Sequence, residues 1–407
     1  MTNLSLFIAR KLAVEGGPSF SRFIIRVAIV AVTLSMAVMI LAGAIVRGFQ
    51  QEVSGKVFGF WGHMLIKAYQ EDVMYGEEAI SMRQPFYPSL SAVQGITHIQ
   101  VYATKPGIIK TGEEIEGIIL KGVGSDFRSD FMRSCLQQGT FINPSDSLAE
   151  RHMVVSAATA NRLRLKVGDE VTIFFVQEPM RYRRLTVIGI YKTGVEEYDR
   201  MYALVDLRLI QRLNNWSPDE VGGFEVFVSD VNKLQRLTDL VNDQYLGTRL
   251  QAFSLRDINP NLFDWLNLQS TNERVIIILM MLVAVINIIT VLLILILERA
   301  GMIGILKALG AHDGLIRRIF VFHAAYVAAL GLLFGNLLGL TLAWVQKHFQ
   351  IITLNEESYY VAVAPIALDP VYLVALNVGT LAICLITLLL PSYLVTRISP
   401  IQVIRFG

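Results

Sequence analysis

Residue types that carry out chemistry in proteins are present in this chain, but they form no catalytic or metal-binding pattern. His63, His98 and His152 stand far apart, without the short spacing of a metal-ligand set. The acidic run at 196–199 follows a glycine and fits a solvated turn better than an ion or partner site. The H-E-x-x-H and G-x-S-x-G motifs are both absent from the sequence. We therefore predict a protein that is not an enzyme and holds no metal.

A phosphate-binding loop is also missing. Ser54-Gly55-Lys56 comes nearest to the pattern G-x-x-x-x-G-K-[ST], but it lacks the upstream glycine and the following Ser or Thr. If ATP drives this protein, another chain must bind the nucleotide. The two cysteines, Cys135 and Cys384, lie in a polar part and an apolar run respectively, so a disulfide framework is not indicated.

Composition points to a membrane protein with a sizeable polar part. Of 407 residues, 53% are hydrophobic and 17% are charged, whereas soluble domains carry about 25% charged residues. A net charge of +2 is too small to suggest nucleic-acid binding.

Four apolar runs, at 27–46, 275–297, 319–345 and 371–394, reach the roughly 20 residues that a membrane helix needs. The first starts too far into the chain and is too long for the apolar core of a signal peptide. We divide the chain into seven parts: an N-terminal segment with the first span (1–46), an outer domain (47–274), the second span (275–297), a loop (298–318), the third span (319–345), an outer loop (346–370) and the fourth span with a tail (371–407).

Lysine and arginine positions set the expected orientation. The N-terminal tail, the loop at 298–318 and the C-terminal tail are basic, while the loop between spans three and four carries only Lys347. Both termini are therefore predicted to be cytoplasmic, with the segment 47–274 outside. Strand-like apolar runs at 63–69 and 115–123 predict strands there, and the segment 152–156 leads into a helix-like segment at 157–165. The fold class is an α-helical membrane protein with four transmembrane helices and a large α+β domain, with two subdomains, between the first and second spans.

Inside the predicted spans, glycines and large apolar residues form the patterns that suggest contacts. Gly331, Gly335 and Gly339 are four residues apart and predict close helix packing, against another span of this chain or of a second subunit. The spans carry no relay of charged residues, which argues against a proton-coupled pathway. The apolar surface of the first two spans suits lipid, a neighbouring helix or an acyl-chain substrate, and composition does not separate these.

The segment between spans two and three is more than a plain loop. Met302, Ile305, Leu306 and Leu309 share one helical face, Gly310 fits a helix stop, and Asp313 is placed to cap the next helix. A short amphipathic helix is therefore predicted. Periodicity alone leaves two interpretations open: a helix lying on lipid, or a helix docked on a cytoplasmic partner.

Several motifs together resemble the permeases of the MacB/FtsX superfamily of ABC transporters. They include "MIGILKALGAHDGLIRRIF" (302–320), with Met302 where the family usually has an acidic residue, and the ending "PSYLVTRISPIQVIRFG" (391–407). The entry to span two from 262, "SYYVAVAP" (358–365) and the entry to span one are similar to the lipoprotein-releasing branch, the LolC/LolE type. The resemblance covers nearly the whole chain.

The resemblance implies a function and a set of sites. Such permeases pair as homodimers or heterodimers, bind two copies of a separate ATPase that holds ATP and Mg, and pass lipoproteins from the outer leaflet of the inner membrane to a periplasmic carrier similar to LolA. The coupling residues to the ATPase would be Glu298, Met302, Ile303, Ile305, Leu306, Lys307, Leu309 and Gly310. The lipoprotein cavity would be lined by Met36, Met39, Ile40, Leu279, Leu282, Val283 and Ile286.

The carrier would bind at a strand-loop-strand hairpin whose tip residues are Pro179, Met180 and Arg181, although the loop here is short for the family's protruding hook. Two alternatives stay open from the sequence. One is a MacB-like efflux or peptide-export permease, and the other is an FtsX-like transmitter that activates a cell-wall hydrolase.

Overall fold

The computed structural model describes residues 19–69, 77–112 and 114–388. The basic residues predicted to orient the two tails, including Arg10, Lys11, Arg397 and Arg405, and the family-like ending at 391–407 lie outside the described residues. The described chain forms two compact units. The membrane unit contains 19–51, 265–353 and 363–388, and the outer unit contains 52–264 and 354–362.

The helices, in chain order, are α1 (Ser19–Trp61), α2 (Asp130–Ser134), α3 (Ala157–Leu163), α4 (Glu196–Met201), α5 (Leu207–Asn214), α6 (Leu234–Gln244), α7 (Leu255–Ile258), α8 (Pro260–Glu298), α9 (Ala300–Ala308), α10 (Asp313–Phe349), α11 (Glu356–Tyr359) and α12 (Pro370–Thr387). The strands are β1 (Met64–Ala68), β2 (Ile80–Ser81), β3 (Ile96–Thr111), β4 (Glu114–Val123), β5 (Leu136–Gly139), β6 (His152–Ser156), β7 (Glu170–Phe175), β8 (Arg181–Tyr191), β9 (Tyr202–Asp206), β10 (Glu220–Val221), β11 (Gly223–Val228) and β12 (Leu250–Ser254).

Within the described residues, four helices are long and apolar enough to cross a membrane: α1, α8, α10 and α12. At 1.5 Å per residue, the 43 residues of α1 span about 64 Å, about twice the ~30 Å of a hydrocarbon core. The helix α1 therefore continues well past the apolar run at 27–46 without a break.

The strands of the outer unit close into a ring. Its members pair in the order β3, β4, β9, β6, β8 and β7, and β7 pairs back onto β3. The first part of β3 also pairs with β11, which continues through β1 to β12. The main sheet of the outer unit thus contains a six-stranded ring and a four-stranded part that share β3, with β5 added beside β8. The strands β2 and β10 form a separate two-stranded sheet.

Three strands of the outer unit pass directly into helices through the same device. Ser156, Asp206 and Ser254 each end a strand in extended conformation, and each side chain accepts a hydrogen bond from a backbone N–H of the following helix. Such caps satisfy donors that the first helical turn leaves without a partner. The sequence prediction of β6 followed by a helix is reproduced at residue level.

In the membrane unit, the third span packs on the first. A Cβ at Gly331 would lie 2.6 Å from Val32 Cβ, and one at Gly335 would lie 2.5 Å from Met36 Cβ. The glycine stripe therefore lets α10 approach α1 of the same chain closely. Asn336 of α10 and Asn377 of α12 exchange two side-chain hydrogen bonds of 2.6 and 2.9 Å.

Candidate functional site

The short helix α9, between the second and third spans, is the first candidate site. Its C-cap is Leu309, and Gly310 follows with φ of +89°, a conformation that glycine adopts easily. Asp313 does not cap the next helix as predicted: the N-cap of α10 is His312, and Asp313 instead lies 2.9 Å from Lys307 Nζ. This ion pair holds the chain reversal after α9 together.

One face of α9 belongs to the interior of the membrane unit. Ile303 is fully buried, and Met302 and Leu306 pack against the cluster that contains Ile316 and Phe320. These three residues were predicted to contact the ATPase, but their side chains are occupied by packing on the chain's own helices. Met302 thus lies against an apolar neighbourhood, which suits a thioether better than the carboxylate usual in the family.

The opposite face of α9 is open. Ile305 is 60% exposed and Leu309 is 79% exposed, and Gly301 and Gly310 are exposed beside them. Glu298, at the end of α8, is different, because both of its carboxylate oxygens are buried and neither accepts a hydrogen bond from a described residue. The surface that α9 offers to a partner is therefore centred on Ile305 and Leu309, which is narrower than the predicted set.

The second candidate site is the apolar surface of the first two spans. The predicted cavity residues on α8 are all exposed, without a partner in the described chain; they are Leu279, Leu282, Val283 and Ile286. Exposed apolar residues on α1 also follow one helical face: Phe23, Val27, Val30, Leu34 and Val38.

The predicted cavity residues on α1 lie elsewhere. Met36, Met39 and Ile40 are fully buried in a cluster with Leu332 and Leu376 of the third and fourth spans. They are on the packed side of α1, because the glycines of α10 draw that side inward. In this structure they have no surface for a substrate, and the open side of α1 runs through Val30, Leu34 and Val38 instead.

The third candidate site is the hairpin of β7 and β8, whose loop is residues 176–180. Met180 is 70% exposed, and Val176 and Tyr182 are exposed beside it. Arg181 is not a free tip residue: its guanidinium donates to the backbone oxygen of Leu213 and to Asn215 Oδ1, both at 2.8 Å. The arginine therefore caps the end of α5 and holds the base of the hairpin. The exposed residues of the loop are Val176, Glu178, Pro179 and Met180.

A buried charge network in the outer unit had no signal in the sequence. Lys121 Nζ lies 2.5 Å from Glu225 Oε1, with both side chains almost fully buried, and Gln100 donates to the same carboxylate at 2.5 Å. Lys121 also donates to the backbone oxygen of Phe60 and lies 4.1 Å from the Trp61 ring centroid. Burial lowers the pKa of Lys121 and raises the pKa of Glu225, and each partner offsets that effect on the other. The network binds the last turn of α1 to the sheet.

A second polar cluster, at the outer ends of three spans, was also missed. Arg47 of α1 lies 3.2 Å from Asp369 Oδ2, 4.0 Å from Glu273 Oε1 and 3.6 Å above the Tyr372 ring. Gly43 makes room for that ring, since a Cβ there would lie 2.3 Å from Tyr372 Oη. The cluster ties the first span to the start of the fourth.

The acidic run at 196–199 was predicted to be a solvated turn, but it forms the start of the helix α4, and one of its carboxylates is buried. Asp199 is buried and accepts hydrogen bonds from the N–H groups of Thr193 and Gly194, both at 3.0 Å. Burial raises the pKa of Asp199, and these bonds partly offset it. The described residues contain no group of three or more His, Cys, Asp or Glu side chains that could hold a metal ion.

The chain matches known protein families and relatives over most of its length. Residues 27–243 match the family model "MacB-like periplasmic core domain", and residues 274–400 match "FtsX-like permease C-terminal". The lipoprotein-releasing system transmembrane protein LolC of Xylella fastidiosa (strain Temecula1) is 23% identical, with 95% of each chain covered. LolC of Neisseria meningitidis serogroup B is 22% identical, again over 95% of each chain. LolE of Haemophilus influenzae is 23% identical over 92% of each chain.

Proposed function

The chain belongs to the MacB/FtsX superfamily as a LolC/LolE-type permease, and from that premise we propose that it extracts lipoproteins from the outer leaflet of the bacterial inner membrane. It passes them to a periplasmic carrier, and a separate ATPase supplies the energy. The observation that carries this proposal is the apolar, charge-free face of α8 from Leu279 to Ile286, which has no partner among the described residues. Acyl chains are the part of a lipoprotein that such a surface would accept.

A second permease subunit completes the cavity. One chain presents two open apolar faces, through Leu34 and Val38 on α1 and through Leu282 and Ile286 on α8. A two-fold partner would enclose these faces, and lipid would cover the part that the partner leaves open. The partner is either a second copy of this chain or a related permease. Lipoprotein acyl chains would enter between the two subunits from the outer leaflet.

The open face of α9 is the proposed contact with the ATPase. Ile305 and Leu309 would insert into a groove of the ATPase as helix anchors. Ile303, packed in the bundle, would pass the movement on to the second and third spans. ATP and Mg would be bound by the ATPase dimer, and this chain would hold no cofactor. In the proposed orientation α9, both termini and the ATPase would be cytoplasmic, and the outer unit would be periplasmic.

The hairpin tip is the proposed carrier contact. Met180 and Tyr182 offer apolar surface, while Arg181 and Gln177 fix the loop base on the end of α5. A carrier similar to LolA, which must shield acyl chains, would receive the lipoprotein there. The five-residue loop at 176–180 makes this a small contact.

Lipoprotein sorting tests the function directly. Depletion of the chain should leave outer-membrane lipoproteins in the inner membrane, because no other step would desorb their acyl chains. The measurement is the distribution of lipoproteins between separated membranes, with outer-membrane β-barrel proteins as the internal control. Unchanged lipoprotein sorting after depletion would disprove the proposal.

The coupling role of α9 has its own test. Leu309→Asp places a charge on the most exposed apolar residue of α9, so we expect ATPase binding to fall about tenfold or more, the effect of losing one anchor of 1.4 kcal/mol. Co-purification of the ATPase in mild detergent measures this effect, and Leu309→Met is the matched control. The Leu306→Asp variant is less informative, because Leu306 packs inward and its loss would also disturb the bundle. Normal ATPase binding by Leu309→Asp would mean that α9 lies on lipid.

A further inference from the structure

A third asparagine inside the spans differs from the two that pair with each other. Asn336 and Asn377 each donate to a backbone carbonyl one turn back, at 2.7 and 2.8 Å, and each also donates to the side-chain oxygen of the other. Asn287 of α8 is half-buried, and its amide forms no hydrogen bond with any of residues 19–69, 77–112 and 114–388. This amide therefore has room for a partner that the described residues do not supply.

Asn287 stands near the middle of its span. The apolar run of α8 extends from Val275 to Leu297, so at 1.5 Å per residue Asn287 is about 18 Å from one end and about 15 Å from the other. The centre of a hydrocarbon core holds no water, and acyl chains offer an amide no hydrogen bond. An asparagine at that depth gains stability by pairing with another polar group, which is how such residues join helices in membranes.

The amide lies at the edge of the open face of α8. Val283, one turn before Asn287, is 40% exposed, and Thr290, one turn after it, is exposed. The hydroxyl of Thr290 already donates to the carbonyl oxygen of Ile286 at 2.9 Å. Val291, beyond Asn287 on its other side, is buried in a cluster with α1 and α10. Asn287 thus marks the line where the packed side of α8 meets the open side, and a partner on the open side can reach it.

A second copy of this chain offers the complement that this amide lacks. An asparagine side chain both donates and accepts hydrogen bonds, so two of them related by a two-fold axis can exchange two bonds. The pair of Asn336 and Asn377 has this reciprocal form inside one chain, with bonds of 2.6 and 2.9 Å. Phospholipid tails would cover the apolar residues around Asn287 but would leave its amide unsatisfied.

We propose that Asn287 bridges two permease subunits by pairing with the same residue of a second copy, across a two-fold axis at mid-membrane. The inference rests on the proposed function, because it names the residue that joins the subunits around the lipoprotein cavity. The bridge forms the floor of that cavity. From Val275 to Asn287 the open face of α8 is about 18 Å long, close to the ~15 Å that one leaflet of a ~30 Å hydrocarbon core measures. Acyl chains are held on the outer side of the bridge, along Leu279 and Leu282.

Disulfide cross-linking in native membranes tests the bridge without using transport. The full-length chain, with Cys135→Ser and Cys384→Ala, receives Asn287→Cys and is oxidised with copper phenanthroline. The matched control is Leu282→Cys, because Leu282 is 54% exposed but lies about 140° round the helix from position 287. We expect a cross-linked homodimer at position 287, in several-fold greater yield than at position 282. Equal yields, or no homodimer at position 287, would overturn the proposal.

A second measurement isolates the amide itself. Asn287→Leu removes the amide but keeps the branching of the side chain, so self-association of the full-length chain in lipid bilayers should weaken about fivefold to thirtyfold. Single-molecule photobleaching at decreasing protein density measures the dimer fraction. The matched control is Ile278→Leu, at the other edge of the open face, which should leave that fraction unchanged.

An Asn287→Leu variant that dimerised as well as the Ile278→Leu variant would also overturn the bridge. Neither measurement uses a lipoprotein. The bridge can therefore fail while lipoprotein sorting still supports the proposed function, and the reverse.

Discussion

The two units of the chain differ in the kind of polar group that they bury. The outer unit buries ionisable side chains and pairs them, as Lys121 does with Glu225 under the last turn of α1. The membrane unit joins its helices with neutral groups, through the Asn336 and Asn377 amides and through glycines that carry no side chain. Its charged groups stand at the ends of the spans, around Arg47 at the outer ends and at Glu298 and the Lys307–Asp313 pair at the other ends.

The difference follows from the medium that the side chains of each unit leave on folding, which is water for the outer unit and lipid for the membrane unit. When the outer unit folds, its buried groups leave water, and the direct contacts within a buried ion pair offset part of the desolvation free energy. When a span packs on its neighbours, its groups leave lipid. An ion in a span would already have lost its hydration before it could form a pair, whereas an amide or a glycine costs much less free energy. Stability of the outer unit should therefore respond to charge and pH, and stability of the membrane unit to volume.

The largest expected effect comes from breaking the buried ion pair. Lys121→Met would leave the Glu225 carboxylate without its cation in a dry site, which costs about 3–5 kcal/mol of the outer unit's free energy of unfolding. Pulse proteolysis in urea measures the loss. The matched control is Lys192→Met, whose exposed pair with Glu356 should contribute less than about 1 kcal/mol. Equal effects of the two variants would remove the contrast between buried and exposed charges.

A somewhat smaller effect is expected from pH. Burial, with a smaller contribution from Arg128, lowers the pKa of His63 from 6.5 to about 4. Between these values the unfolded chain binds more protons at this imidazole than the folded protein, so the contribution of His63 to the free energy of unfolding should fall as pH falls from 6.5 toward 4. That contribution is roughly 3 kcal/mol, since each pKa unit is worth about 1.4 kcal/mol. Glu77 acts in the opposite direction, because burial raises its pKa from 4.5 to about 7.

The same urea proteolysis at pH 7 and pH 5 checks this prediction. His63→Asn keeps an acceptor for the Val228 N–H, 3.3 Å from His63 Nδ1, but cannot be protonated, so the wild-type protein should lose stability relative to this variant as pH falls from 7 to 5. If the difference in free energy of unfolding between the two proteins were equal at both pH values, His63 would carry no part of the pH dependence.

The smallest expected effect tests the membrane unit by volume. Gly335→Leu would force a side chain into Met36, and overpacking of this kind costs about 1–3 kcal/mol. Gly379→Leu is the matched control, because a Cβ there meets nothing within 4 Å. Thermal stability of the purified protein in detergent compares them. If both variants melted alike, close packing of the third span on the first would not matter for stability.

Local patterns predicted much of the fold. The strand predicted at 152–156 coincides with β6, and the four predicted apolar runs overlap long helices. The longest strand, β3, was not predicted, because Lys105-Pro106-Gly107 interrupts its pattern. The structure tolerates Pro106 because one edge of β3 is free there: β11 pairs up to Tyr102 and β7 begins at Ile108.

The candidate sites were harder to predict, for a physical reason. The first span is apolar on all sides, so no periodicity could show that Met36 faces the bundle and Leu34 does not. On α9, part of the predicted contact face packs on the chain's own helices and part of it is exposed. Periodicity could not show this either, because most residues of α9 are apolar. Arg47 and Asp369 are 322 positions apart, and Lys121 and Glu225 meet across strands distant in sequence, so only the fold brings each pair together.

The pairing of β1 with β12 has a consequence for how the protein is made. These strands begin and end the outer unit's sheet, and Met64 faces Ser254 in their ladder. The sheet therefore cannot be completed until nearly 200 residues have left the translocation channel, since its last strand pairs with its first. During that interval the edge of β1 is open to wrong partners.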